Sequence, residues 1–321
     1  MHTSTSPQYA IIASCDVSAA MMESPGGTTL VEESIAEALD FRRAMRKVDD
    51  EFGADWWFKV WGPDQLAEEG IGTREDWILE PNAYWHDFGN LAKNFNMLDP
   101  IKATVVTPGL DIEGNFGEIG IPASIVTKYL AEHGVIVEKT GLYSFFIMFT
   151  IGITKGRWNT LVTELQQFKD HFDKNQPLWK VLPEFVAKHP RYERVGLQEI
   201  SAQIHSFYKS RNVARMTTEM YLSNMEPAMM PGDAWSKMAH KEIDRVPIDE
   251  LEGRITAMLV TPYPPGIPLL IPGERFNKAI VDYLRFARDF NQQFPGFETD
   301  IHGLVKNSDG NNGYYVDCVR A

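Results

Sequence analysis

Apolar residues recur along this chain with two different spacings, and the switches between them mark its elements. Ser6 followed by Pro7 makes an N-cap and first-turn pair, and Ile11, Cys15, Ala19 and Met22 then follow at helical spacing. Pro25, Gly26 and Gly27 are expected to end that helix. A second is expected to open at Thr29, with Glu32 three residues on completing a capping box, and to run through Ile35, Leu39 and Met45 to about Phe52. Residues 55–61, DWWFKVW, read as a strand. Residues 101–107 and 135–139 are short β-rich runs on either side of an amphipathic helix over 122–133, which Gly134 closes at the C′ position. Residues 143–154 are β-branched and aromatic, the mark of a buried strand. Residues 158–172 return to the helical period, with Leu161, Leu165 and Phe168 on one face.

Around Gln176, Pro177 and residues 183–190 the pattern is broken by prolines, which places a boundary there. Beyond it, helices are expected over 197–211, 231–243 and 277–291, and strands over 254–261, 269–271 and 314–319. Alternating strands and helices in the first part predict an α/β domain over residues 1–180. Helices with a few separated strands predict an α+β domain over 181–321. No internal repeat or low-complexity tract interrupts either part.

Residues 251–274, LEGRITAMLVTPYPPGIPLLIPGE, carry five prolines and three glycines in an otherwise apolar segment. Each proline fixes φ and removes an amide donor, so Pro262, Pro264, Pro265, Pro268 and Pro272 specify one irregular path and forbid a helix or a central strand across it. The apolar flanks imply that this path is buried.

Composition narrows the classes. At 321 residues with 44% hydrophobic and 23% charged content, the chain can bury one large core or two medium ones, and disorder is a poor account of it. No apolar stretch approaches the roughly 18–20 uncharged residues of a spanning helix, and Met1 is not followed by a basic and then apolar leader, so a cytoplasmic location is expected. Cys15 and Cys318 are the only cysteines, too few and too far apart for a disulfide framework or a thiolate zinc site. The eight histidines show no metal-ligand spacing, so no metal is expected. A net charge of −13 argues against nucleic acid as a partner, and none is expected. There is no GxSxG elbow, GxGxxG fingerprint or GxxxxGK[ST] phosphate loop.

The proline-rich run, with YPPGIP at 263–268 and PGE at 272–274, resembles the C-terminal domain of the bacterial pyridoxal-phosphate-dependent ornithine, lysine and arginine decarboxylases. HTSTSP at 2–7, DPIK at 99–102, GIPASIVTK at 120–128, EKTG at 138–141 and FPGFETDIHG at 294–303 resemble the same family in the same order. The resemblance implies the small α/β domain of fold-type-I, aspartate aminotransferase-like enzymes, followed by the family's α+β C-terminal domain. It also implies a pyridoxal 5'-phosphate cofactor, a small cationic amino acid as substrate and a homo-oligomer. The EKTG wording is more like lysine decarboxylases than arginine ones. Lysine to cadaverine is therefore the favoured reaction, with arginine to agmatine or ornithine to putrescine as the other readings.

Family members carry the cofactor lysine in a Ser-x-His-Lys sequence before the HTSTSP segment, and no such motif occurs in these 321 residues. The chain resembles the C-terminal two fifths of such an enzyme: a fragment, a split gene product or a frame opened downstream of its true start. It is expected to be inactive alone and not to bind the cofactor covalently. The alternative expectation is a non-catalytic module that docks onto a separate cofactor-binding half or onto full-length relatives.

Three residues carry the expected chemistry. Ser4 and Thr5 offer hydroxyls just before a helix, where free amides and the dipole favour an anion. By the resemblance Ser4 matches the residue that reaches the cofactor phosphate of the partner subunit, and Thr5 is adjacent; the plainer role is a helix cap. Glu138 is expected at a strand end where a carboxylate can pair with a substrate ammonium, and by the resemblance its segment lines the substrate channel; the plainer role is an exposed partner of Lys139. His133 is expected to interact with a helix C-terminus, and His302 lies in the DIHG motif. Trp56, Trp57, Trp61, Tyr143, Phe145, Phe146 and Phe149 are expected to be core aromatics, and Arg254 and Glu274 to bridge the ends of the proline-rich run.

Overall fold

A computed structural model of the chain describes residues 8–23, 25–63, 74–86, 88–89, 91–263, 266–298, 300–306 and 313–320. In chain order its elements begin α1 (Tyr9–Glu23), α2 (Pro25–Phe52), β1 (Lys59–Val60), β2 (Lys102–Val106), α3 (Ala123–Glu132), β3 (Lys139–Thr140), β4 (Ser144–Met148) and α4 (Trp158–Asp173). They continue with α5 (Leu178–Val181), α6 (Pro183–Lys188), α7 (Leu197–Ser210), α8 (Val213–Leu222), β5 (Glu226–Pro227), α9 (Pro231–Ala239) and β6 (Ile243–Pro247). The last are β7 (Thr261–Tyr263), β8 (Glu274–Arg275), α10 (Lys278–Gln293), β9 (Asp300–His302), β10 (Val305–Lys306) and β11 (Tyr314–Val319). Helices and short strands are mixed throughout, as the α/β and α+β reading implied. Two compact units divide the chain: Met1–Val105 with Phe146–Thr163, and Val106–Phe145 with Glu164–Ala321.

The first unit is organised by one face of α2. Ala38, Leu39, Phe41, Met45 and Val48 recur at helical spacing and are buried, and Phe41 meets Phe149 and Trp158 at ring-centroid distances of 5.7 and 6.4 Å. Two charged residues of α2 are buried and hydrogen-bonded, although the Nε of Arg42 is left without a partner. The Glu37 carboxylate accepts from the Gly156 amide at 2.7 Å and the Trp158 indole at 3.0 Å, which places a negative charge at the start of α4 where the helix dipole favours it. The Arg42 guanidinium donates to the carbonyls of Trp61 and Lys102 at 3.0 and 2.9 Å, and burial pulls its pKa down to about 10. β1 lies beside β2, extended by the bond from Trp61 N to Thr104 O at 2.8 Å.

The second unit is built on α3, α7, α8 and α10. Phe207 and Tyr208 of α7 pack on Phe286, Phe290 and Phe294, with the Tyr208 and Phe290 rings stacked at 5.3 Å. Aromatic pairs of this kind add about 0.5–1.5 kcal/mol each beyond their burial. Asn277 caps α10 by accepting from the Ile280 amide at 3.0 Å. A three-stranded antiparallel sheet, ordered β10-β11-β6, aligns Val316 with Val246 and buries Cys318.

Several expectations are corrected by packing. α2 begins at Pro25 rather than Thr29, because proline is tolerated in a first turn; Thr29 lies inside the helix and its hydroxyl donates back to Pro25 O at 3.4 Å. Over 55–61 only Lys59–Val60 is strand, since Gly53–Asp55 forms a 3-10 turn first. Residues 135–138 are not strand: Val135 N donates back to Leu130 O at 2.8 Å to close α3, and pairing starts at Lys139. α9 stops at Ala239: His240 and Lys241 form a turn, and Ile243, expected to end the helix, instead begins β6. Residues 254–260 and 269–271 make only isolated bridges.

The proline-rich run is partly exposed: Leu269 and Leu270 are buried but Ile267 is 54% exposed, and Pro264 and Pro265 lie outside the described residues. Its Gly273 has φ +97°, and a β-carbon there would meet Met229 O at 2.4 Å, so only glycine fits the turn. Arg254 pairs with Asp244 at 3.3 Å rather than with Glu274, whose carboxylate instead accepts from the Ile271 amide at 2.8 Å.

Candidate functional site

Ser4 and Thr5, the expected phosphate ligands, lie outside the described residues. Glu138 is exposed on a bend immediately before β3, not at the end of a strand. Lys139 is exposed as well, and Thr140, Gly141 and Leu142 are half-buried. Lys139, Thr140, Gly141 and Leu142 line a cavity of 400 Å³ in the second unit.

Hydrogen bonds join this segment to the GIPASIVTK segment. The Ala123 amide at the start of α3 donates to Leu142 O at 2.9 Å, and the Thr140 hydroxyl donates to Thr127 Oγ1 at 3.1 Å. Upstream of α3, Ile121 N donates to Pro108 O at 2.8 Å while Ile121 O accepts from the Thr107 hydroxyl at 2.6 Å. The two motifs are therefore joined by hydrogen bonds into one folded piece.

His205 fixes that piece from α7. Its Nε2 donates to Gly117 O at 3.1 Å, leaving Nδ1 to accept from the Tyr143 hydroxyl at 2.6 Å, which selects one tautomer. Lys209 Nζ donates to the same carbonyl at 2.9 Å. A β-carbon on Gly120 would lie 2.0 Å from His205 Nδ1, so the glycine of GIPASIVTK is required by this imidazole. Burial pushes the Tyr143 phenol far up, so it stays a neutral donor.

A second cluster ends α3. Tyr129 OH donates to Glu164 at 2.9 Å, and His133 Nδ1 donates to Tyr129 O at 2.8 Å, the helix C-terminal contact expected of it. Burial, and then the bond to Glu164, raise the Tyr129 phenol. His302 lies on β9 opposite Thr261, with its ring 4.6 Å from that of Tyr263 and its Nε2 3.4 Å from Asp300. It therefore packs against the middle of the proline-rich run. Of the expected core aromatics, Trp56, Tyr143, Phe145 and Phe149 are buried, and Trp57, Trp61 and Phe146 partly so. The DPIK motif is a turn: Asp99 accepts from the Ile101 amide at 3.2 Å and pairs with Lys102 at 3.2 Å. Among the described residues no group of three or more His, Cys, Asp or Glu side chains is placed to hold a metal ion.

Two sequence models match the chain: the major domain of the Orn/Lys/Arg decarboxylases over residues 1–157 and their C-terminal domain over residues 214–320. The chain belongs to the Orn/Lys/Arg decarboxylase family. Lysine decarboxylase LdcA of Pseudomonas aeruginosa is 51% identical over all of this chain, and the biodegradative arginine decarboxylase of Escherichia coli is 37% identical over all of it. The chain spans 43% and 45% of the lengths of these relatives. The solved lysine decarboxylase A from Pseudomonas aeruginosa superposes with a TM-score of 0.93 at 49% identity, covering 100% of this chain and 44% of that one. Relatives of this chain in the family are thus basic amino acid decarboxylases. Among the described residues no helix is long and apolar enough to cross a membrane.

Sequence reasoning missed His205, Tyr143 and Lys128 as organising side chains. Lys128 left a signal: it stands four residues after Ser124, between the buried pairs Ile125–Val126 and Tyr129–Leu130, and therefore on the edge of the buried face of α3.

Proposed function

We propose that this chain is the C-terminal part of a pyridoxal-phosphate-dependent basic amino acid decarboxylase acting on lysine, with residues 1–180 as its small domain and 181–321 as its C-terminal domain. The single observation that carries this reading is the family match at both ends of the chain, with 51% identity to a lysine decarboxylase across its whole length. In such an enzyme the cofactor supplies an electron sink for the bond to the departing carboxylate. The part assigned to this chain is narrower. Ser4 and Thr5 hold the phosphate bound to a partner subunit, and Glu138 meets the cationic substrate at the channel mouth, a role that its exposed position on a bend suits. No described residue is assigned to the cofactor. These 321 residues hold no Ser-x-His-Lys sequence, so the chain alone is proposed to be inactive.

The second reading, a module that docks onto a cofactor-binding half or onto full-length relatives, is favoured by α1. Its Tyr9, Ile11, Ile12, Val17, Met21 and Met22 are all exposed, and none of its residues is buried. An apolar helix left open on this scale marks an interaction surface.

One experiment separates the outcomes. The purified chain with added pyridoxal phosphate should show no protein-bound cofactor band and release no carbon dioxide from lysine. Mixing it with the remaining part of lysine decarboxylase LdcA, expressed separately, should restore release. S4A or T5A in the mixture should then raise the cofactor concentration needed for half-maximal activity by about tenfold, and E138Q should raise KM for lysine with kcat little changed. Activity of the chain alone overturns the inactive reading, and failure of the two parts to associate on gel filtration overturns docking.

A further inference from the structure

The cavity behind Lys139–Leu142 has a second wall that the reading above does not use. It lies wholly within the second unit, and 400 Å³ is within the range of small-molecule sites. One side is apolar and aromatic, formed by Met220 of α8 and Tyr283 and Phe286 of α10. The other side is polar and belongs to α3, where Ser124 and Lys128 stand one helical turn apart and face the same way.

Lys128 is a cation without a carboxylate. Its Nζ rests 5.5 and 5.6 Å from the ring centroids of Phe185 and Phe297, and among the described residues no acid comes within salt-bridge distance. The nearest acids, Glu298 and Glu132, only partly offset a pKa lowered by burial. A half-buried ammonium held over aromatic faces keeps its charge at a cost that a bound anion would relieve. Ser124 adds a hydroxyl on the same wall: its Oγ is buried beside the Tyr208 phenol and makes no hydrogen bond of standard geometry. Buried polar atoms are seldom left so without a ligand or water to meet them.

The charge of the lining limits the ligand. The lining carries Lys128 and Lys139 against Glu298, the last 4.0 Å from Lys306, and this balance of about one net positive charge suits a monoanion better than a dianion. The tyrosine and phenylalanine rings opposite favour a flat body that stacks. We propose that this cavity binds an aromatic monocarboxylate, with its ring against Met220, Tyr283 and Phe286 and its carboxylate accepting from Lys128 Nζ and the Ser124 hydroxyl. Its place beside the EKTG segment makes it a site from which a ligand can stiffen the segment that carries Glu138.

Titration calorimetry on the full chain tests this, with indole-3-carboxylate as the probe and indole-3-carboxamide as its uncharged counterpart. The acid should bind saturably and at least about tenfold more tightly than the amide, and K128Q should erase that preference. Equal affinities, a preference retained in K128Q, or no saturable heat from the acid up to about 10 mM would overturn the proposal. If K128Q does not give a native circular dichroism spectrum, T217W decides. Thr217 lines the cavity, so an indole placed there should abolish binding, and unchanged binding overturns the assignment.

Discussion

Helices α1 and α10 are nearly the same length, 15 and 16 residues, and have opposite fates. α10 buries eight residues on one face and turns Lys278, Asp282, Arg285 and Arg288 outward, where Arg285 and Arg288 reach Asp249 at 2.9 and 2.7 Å. α1 carries Asp16 and Glu23 as its only charges, has apolar residues on every side and buries none of them. A single apolar face can be covered by the chain's own core, whereas a helix that is apolar all round has to be enclosed. Hydrophobicity alone therefore did not predict burial here. One-sidedness did.

The two cysteines probe this contrast most strongly, since Cys15 sits exposed on α1 and Cys318 is buried on β11. Burial pushes the Cys318 thiol up to about 12, with Asp317 and Asp244 adding to the effect. The thiolate is the reactive form, and at pH 8 a pKa near 12 leaves roughly one thiol in ten thousand ionised. Titration of the native chain with a disulfide reagent should give one fast thiol, with Cys318 reacting at least about a thousandfold more slowly until denaturant is added. Two fast thiols would mean that the β6–β11 core opens readily.

Truncation of the buried helix should come next in size. F290A removes a ring that meets Phe207, Tyr208, Phe286 and Phe294, and should lower the unfolding free energy by about 3–5 kcal/mol in urea. Gly120→Ala pushes a β-carbon into His205 and should cost about 1–3 kcal/mol. Removing the Asn277 cap with N277A should cost about 1 kcal/mol. At the bottom of the scale, I12D on α1 should change stability by less than about 0.5 kcal/mol while abolishing association with a cofactor-binding half. A stability loss like that of F290A would show that α1 is covered within the chain after all.

Elements with a clear period were legible in the sequence: α3, α4, α7, α10 and β11 lie within a residue or two of where the spacing places them. The start of α2 was not, because proline followed by two glycines reads as a break, yet proline suits a helix's first turn. Residues 135–138 have strand-like composition but pair with no strand among the described residues, and 254–260 meet their neighbours only at single bridges; composition cannot supply a ladder. The site divides in the same way. The motifs around Ser4, Thr5 and Glu138 stood out as words, while His205, 88 residues from the carbonyl it holds, carries no local signal.

By itself the sequence determined the family, the mixed helical and β character and the identity of the core aromatics, since these depend on short motifs and on the spacing of neighbouring residues. Tertiary structure alone decided that GIPASIVTK and EKTG are one hydrogen-bonded piece, that Gly120 yields its space to His205, and that Lys128 lines a cavity with no acid among the described residues within salt-bridge distance. Each of these depends on residues distant in sequence meeting at a few ångströms, and neither periodicity nor composition encodes a distance.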